Sequence, residues 1–320
     1  MVGWSGRKIV VLAFALALAA CQQGERAAGR RFLSIGTAGT GGVYYPLGGA
    51  IAARLSVADP DRQYTAEVTG GSVENVNRVA KGEMDLGFSM APTVYEAFNG
   101  GVNYPRPLTN LRIVAPLYPN VTHILVRRGV PARSVADFKG LRVSVGAPGS
   151  GTEELSRQLL EAYGVGYDMI TVRYLSFVES SDALKDGAID AAIISAGYPA
   201  SAVLEALTAG AARLLPVEEE YRQALKGRYP YYVDGVIPRG VYPGVDQDIP
   251  TVAVMNWIVG TESLDARVVR ALLDILDRER DALAQVHDIA RQIQLGALAA
   301  APIPLHSETA RWLSERVMGR

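Results

Sequence analysis

The feature that most constrains this chain is a structural plan written twice. "IGTAGTGGVYYPLGGAIAARL", residues 35–55, reads as a strand end, a glycine-rich turn and an amphipathic helix. "VGAPGSGTEELSRQLLEAYG", residues 145–164, repeats that order roughly 110 residues later. "KGEMDLGFSMAP" (81–92) and "KDGAIDAAIISAGYP" (185–199) form a second pair. In each, a helix ends at lysine and glycine, an acidic residue follows, and an apolar strand closes on serine. Short apolar runs alternating with longer helical patterns indicate α/β architecture. The duplication predicts an α/β fold of two lobes built alike, with a cleft between them.

Strands are expected at 31–35, 64–68, 84–89, 111–116, 123–127, 142–146, 170–175, 188–195, 212–216 and 251–259. Helices are expected at 43–55, 72–81, 91–98, 135–138, 151–163, 176–185, 199–209, 218–225, 265–285 and 308–317. Val268, Val269, Leu272, Leu273, Leu276 and Leu283 make one apolar stripe on the helix at 265–285, which marks a core face. "RYPYYVDGVIPRGVYPGVD", 228–246, reads as a long loop adjoining a crossing between lobes. The lobes are expected at 32–117 and 118–247, with 248–320 returning to the first.

Ligands of open α/β sheets lie beyond the carboxyl ends of the strands. Helix N-termini there present unpaired amides and about half a positive charge. Two facing lobes aim two such termini into one cleft, so an anion gains from both when the lobes close. In the first turn, Thr37 and Thr40 offer hydroxyls, Gly39 and Gly41 allow close backbone approach, and Tyr44 and Tyr45 give an apolar wall with a polar tip. Ser150, Gly151 and Thr152 are the matching device in the other lobe, with helix capping as the alternative role. Ser72 opens a third helix, with Asn75 in its first turn.

Other chemistries fit poorly. The first turn lacks the Lys-Ser/Thr of a Walker A loop, and its spacing fails the dinucleotide pattern at Tyr44. His123, His287 and His306 have no metal-binding spacing, so neither metal nor cofactor is expected. "GFSMA", 87–91, half resembles a nucleophile elbow. An exported serine hydrolase using Ser89 or Ser150 with His123 therefore stays open as an alternative. The charges of "DFKGLRV", 137–143, read as solvated surface. A net charge of −1 without basic runs argues against a nucleic-acid partner.

The N-terminus speaks to location. Arg7 and Lys8 precede an apolar run from Ile9 to Ala20, a signal-peptide pattern too short to span a bilayer comfortably. It ends in "LAAC", which resembles a lipobox, so residues 1–20 read as a leader and Cys21 as the lipidated residue. Cys21 is the single cysteine, so the mature domain would carry neither disulfide nor thiolate chemistry. Residues 21–31 read as the tether.

"IGTAGTGGVYYPLGGAIA", "TGGSVENVN", "GEMDLGFS", "LYPNVTHILVRRG", "DFKGLRVSVGAPGSGTEELSRQLLEAYG", "IPRGVYPGVD" and "PIPLH" occur in this order. Together they resemble the TAXI family of extracytoplasmic solute receptors, which serve TRAP transporters, over nearly all of the chain from Phe32. The resemblance implies a periplasmic-binding-protein fold with two interlobe crossings, and no catalysis. It implies capture of a small carboxylate, usually glutamate, glutamine or 2-oxoglutarate. Delivery would be to a permease driven by an ion gradient, usually of sodium. Carried onto this chain, its ligand positions add Ser89 and Met90, then Ser195, Gly197 and Tyr198. Relatives often place glutamine where Met90 stands and tyrosine near Ile194, and these two apolar replacements weaken any transfer of glutamate specificity. Where relatives often have glycine, Arg239 is either a new carboxylate partner or a surface residue, the surface role being favoured. A sensor presenting its ligand state to a signalling partner shares all these features.

Overall fold

The computed structural model describes residues 31–101 and 103–318. The segments expected as leader (1–20) and tether (21–31), with Cys21, lie outside the described residues except for Arg31. Ten strands form one mixed sheet in the order β2-β1-β3-β10-β4-β7-β5-β6, with β8 on β4 and β9 on β10. In chain order they are β1 (Arg31–Gly36), β2 (Arg62–Glu67), β3 (Leu86–Met90), β4 (Leu111–Arg127), β5 (Arg142–Ser144), β6 (Thr171–Arg173), β7 (Ala191–Ala196), β8 (Ala212–Leu215), β9 (Val233–Ile237) and β10 (Ile249–Thr261).

The two halves of the sheet follow one plan. β1 pairs in parallel with β2 and β3, as β5 does with β6 and β7. Each half is completed by an antiparallel partner, β10 against β3 and β4 against β7. β4 and β10 belong to both halves. Residues 111–121 of β4 pair with β10, and residues 121–126 pair with β7.

Two strands expected at 111–116 and 123–127 are thus one strand of 17 residues. Pro116 and Pro119 suggested a break, because proline cannot donate to a ladder. Here Pro116 faces Trp257, Pro119 faces Met255, and the register shifts between those two partners. The bulge absorbs the missing donors. The loop expected at 228–246 likewise contains β9, which pairs with residues 249–253 of β10. Its Asp and Gly obscured the strand signal, yet Gly235 and Ile237 are buried between exposed Asp234 and Val236.

The helix expected at 265–285 divides into Ala266–Arg278 and Arg280–Ala284 at Glu279, whose carboxylate pairs with Arg54. Its stripe from Val268 to Leu283 is fully buried, as the periodicity requires. One apolar core runs under helices of both halves and includes Val94, Leu155 and Leu159. Two further cores serve one half each, around Leu47 and Leu272 in the first and around Ile194 and Val203 in the second.

Arg142 is not simply solvated, as its neighbourhood in "DFKGLRV" suggested. Its guanidinium donates to Asp190 at 2.9 and 2.7 Å, and its amide donates at 3.0 Å. Arg127 adds a fourth bond at 3.0 Å. Arg142 above all holds the Asp190 carboxyl well below the usual carboxylate range. Asp190→Asn should cost about 2 kcal/mol of stability at pH 7, the scale of a lost charge-assisted hydrogen-bond set. Urea denaturation of the two proteins checks this. The loss should shrink as pH falls through the depressed folded-state pKa, because the native carboxylate is then protonated as well.

Candidate functional site

A cavity of about 410 Å³ lies between the two halves, at the strand ends that carry the glycine turns. From the first half, Gly39, Thr40, Gly41, Tyr44, Thr69, Ser72 and Met90 line it. From the second, Ser150, Gly151, Thr152, Phe177, Val178 and Ser195 face them. Tyr118 and Asn120, on β4, join the two sets. Ten of the sixteen positions expected from the sequence therefore meet around one space.

The other six support that space without lining it. Thr37 donates from its amide and its hydroxyl to the Glu67 carbonyl, at 2.9 and 2.6 Å. Asn75 donates to the carbonyls of Thr37 and Phe88 at 2.7 and 2.8 Å, which pins the turn to β3. Ser89 is buried on the opposite side of β3 from Met90, since side chains alternate along a strand. The same alternation sends Ile194 into the second-half core and leaves Ser195 at the cavity. Tyr45 lies one residue round the helix from Tyr44 and is exposed. Gly197 lets the Tyr118 ring pack closely, because a Cβ there would lie 2.8 Å from the ring. Tyr198 packs against the second-half core. Arg239 is exposed and away from the cavity.

The halves touch on both sides of the cavity. The amides of Val73 and Glu74, at the start of helix Ser72–Ala80, donate to the Gly149 carbonyl at 3.1 Å each. The amide of Ala202 donates to the Gly41 carbonyl at 3.2 Å. Part of this helix N-terminus is thus occupied by the other half. Helix Gly151–Ala162 is capped by its own Ser150, and helix Phe177–Lys185 by a Ser176/Glu179 capping box. Helix Tyr44–Ala58 differs, since its N-cap residue, Val43, supplies no side-chain cap. Val43 and Tyr44 at this end line the cavity, and Pro46 in the first turn carries no amide, so few first-turn donors are left to need a partner.

Beneath the cavity runs a buried relay that the motif reading missed. The Tyr44 hydroxyl donates to Asn256 Oδ1. Asn256 Nδ2 donates to the Tyr118 carbonyl and to Asn120 Oδ1, at 2.7 Å each. Asn120 Nδ2 donates to the Ser195 carbonyl at 3.1 Å. One chain of hydrogen bonds therefore links the first helix to β7 through both shared strands. An asparagine inside each apolar run, "LYPNV" and "AVMNWIV", was the available signal.

The cavity is nearly free of charged side chains. Among the described residues that line it there is no arginine, lysine or histidine. Glu179 is its one carboxylate, exposed and held in its charged form chiefly by the backbone amide of Ser176. Burial raises the Tyr44 and Tyr118 phenols far above their ordinary range, so both stay neutral. The hydroxyls of Tyr118 and Ser195 are buried without a hydrogen-bond partner. Val43, Val68, Met90, Phe177 and Val178 give the walls their apolar part, beside the neutral polar side chains of Thr40, Thr69, Ser72, Asn120, Ser150 and Thr152.

The Ser–His pairing required by a hydrolase is contradicted. Both ring nitrogens of His123 are engaged, by the Ile194 carbonyl at 3.3 Å and the Tyr242 hydroxyl at 2.9 Å. Burial pushes its pKa down to about 4. Among the described residues, no three of His, Cys, Asp or Glu are grouped to hold a metal ion.

Residues 35–316 match the model of the NMT1-like family. The chain belongs to that family. Its fold is similar to that of PhnD1 from Prochlorococcus marinus in complex with methylphosphonate, at 13% identity and a TM-score of 0.56. That match covers 90% of this chain and 97% of the other. The alkanesulfonate-binding protein SsuA from Xanthomonas axonopodis pv. citri, bound to MOPS, matches at 19% identity and a TM-score of 0.50. The coverage there is 86% of this chain and 84% of that one. At these identities the likeness establishes the two-lobed fold of periplasmic binding proteins.

Gly70 offers a test of closure that leaves each half intact. Its φ lies outside the left-handed region, but a Cβ there would sit 2.5 Å from the Pro148 carbonyl across the cleft. Gly70→Ala should leave the denaturant midpoint almost unchanged and weaken solute binding at least about tenfold, or ~1.4 kcal/mol. Calorimetric titration beside chemical denaturation separates the two effects.

Proposed function

We propose that this member of the NMT1-like family is an extracytoplasmic solute receptor that captures a small organic anion by closing its two lobes. One observation carries the reading: an interlobe cavity is lined by a helix N-terminus whose cap residue, Val43, supplies no side-chain bond, and by Tyr118 and Ser195, whose hydroxyls have no partner. The amides of the Tyr44 helix and the hydroxyls of Tyr118 and Ser195 suit an acidic group. Met90, Phe177 and Val178 suit an apolar remainder. The acid is held by neutral donors rather than a guanidinium. Methylphosphonate and MOPS, bound by the two fold neighbours, are also small molecules with one acidic group. Carboxylates remain the first choice from the TAXI resemblance, with glutamate, glutamine and 2-oxoglutarate as its usual members.

Ligand contacts are assigned to Gly39, Thr40, Gly41, Tyr44, Ser72, Met90, Ser150, Gly151, Thr152 and Ser195, with Tyr118 and Asn120 added. Residues 32–117 and 248–320 make one lobe and residues 118–247 the other, and β4 and β10 serve as the crossings. The leader pattern and Cys21 support export and a lipid anchor on the periplasmic side of the cell envelope. The TAXI resemblance supports delivery to a TRAP permease, and a multi-span permease encoded beside this chain would accord with it.

A thermal-shift screen followed by calorimetry tests the reading. The panel is C3–C6 mono- and dicarboxylates, glutamate, glutamine, 2-oxoglutarate and short alkylsulfonates and phosphonates. A true ligand at a hundredfold over its Kd should add about 2.7 kcal/mol of stability. Folded protein that responds to none of these anions would overturn the proposal.

A further inference from the structure

Away from the cavity the two halves meet again, through helix Ala91–Asn99 of the first and helix Gly151–Ala162 of the second. Glu154 lies between them and is 3% exposed. Its Oε2 accepts from the Thr93 hydroxyl at 2.6 Å, and its Oε1 has no donor. After burial, the nearby Glu96 carboxyl is the next influence that disfavours its charged form. Glu96 Oε1 in turn accepts from Gln158 Nε2 at 3.2 Å and from the Tyr231 hydroxyl at 3.4 Å.

The remaining neighbours supply no compensating cation. On Glu154's own helix, Arg157 is bound to Glu153 at 2.6 Å. Glu153 also accepts from Tyr167. The segment before β9 contributes Tyr229, Tyr231 and Tyr232, and Tyr232 donates to Gln158 Oε1 at 2.8 Å. Arg228 lies over the Tyr229 ring. Tyr104 adds a buried hydroxyl without a partner. From helix Glu219–Arg228 and its cap, Tyr221 stacks on Tyr163, which donates to Glu218. On β7's side, Asp190 is taken by Arg142 and Arg127. Two carboxyls in contact and shielded from cations cannot both stay ionised.

We propose that Glu154 is a proton-binding site built by lobe closure: closing takes up one proton, carried on Glu154 Oε1 and donated to Glu96. An opening that parts helices Ala91–Asn99 and Gly151–Ala162 would bring Glu154 to water, where an ordinary glutamate titrates at about 4.3. In the closed form, burial first and Glu96 second push it up to about 8. Between those limits the closed form holds the extra proton. The closed-to-open ratio therefore falls roughly tenfold per unit rise in pH across that interval, and levels off outside it. This goes beyond solute capture, since it makes closure respond to pH whatever the solute's own charge.

The test needs no solute, so its failure leaves the binding proposal standing. The full chain is labelled with 13C at the glutamate carboxyls and titrated from pH 5 to 10 by NMR. One carboxyl should titrate near 8, vanish in Glu154→Gln and move toward the ordinary range in Glu96→Gln. In parallel, hydrogen exchange at the Val73 and Glu74 amides, corrected for its intrinsic pH dependence, reports closure through their bonds to Gly149. Protection should fall over the same interval in the native chain and stay constant in Glu154→Gln. The Glu96→Gln variant keeps the test decisive should the other fold poorly, and near-UV circular dichroism monitors both. The proposal is overturned if no carboxyl titrates above 6. It also fails if protection ignores pH, or tracks pH equally in Glu154→Gln.

Discussion

The antiparallel pairing of β4 with β10 is the constraint on which the rest of the molecule depends. These two long strands are shared by both halves of the sheet, so the halves cannot separate as independent domains. Their ladder is irregular where Pro116 and Pro119 remove donors and the register slips at Met255 and Trp257. A bulged ladder bends and twists more readily than a regular one. The irregular stretch lies just under the cavity, beside Tyr118, Asn120 and Asn256.

That placement gives the buried relay its meaning. A polar group inside a sheet must be satisfied, and each asparagine here is satisfied by a residue of the other shared strand or the other half. The relay fixes how the two strands sit against each other, and through Tyr44 and Ser195 it fixes the two mouths of the cavity. Backbone groups also join the two halves across the cleft. The Gly149 carbonyl accepts from Val73 and Glu74, and the Gly41 carbonyl accepts from Ala202. The glycines of the turns serve this backbone contact as much as any solute, because a residue without a side chain lets the two main chains approach closely.

Much of the architecture was legible along the chain. The doubled plan appears as two equivalent halves, and the stripe on the helix after Asp265 is buried residue for residue. Both glycine turns and the strand-end Ser195 line one cavity, whereas the strand-end Ser89 does not. Position by position the reading was coarser. Thr37, Asn75 and Ser89 look like ligand donors because they are small and polar beside a turn. Each turns inward because strand alternation or a backbone bond claims it first. Tyr118, Asn120 and Asn256 were passed over because they sit inside apolar runs, where a single polar residue resembles a minor irregularity.

The sequence by itself determined the α/β alternation, the duplication, the apolar stripe and the polar glycine turns. These are local properties, set by periodicity and by the few residues that tolerate a tight turn. Only the tertiary structure decided which polar atoms face the cavity and which are spent on the scaffold, that Pro116 and Pro119 lie within one strand, and that Glu154 meets Glu96. Those outcomes depend on contacts between residues tens to more than a hundred positions apart, where desolvation and partner geometry outweigh any local preference.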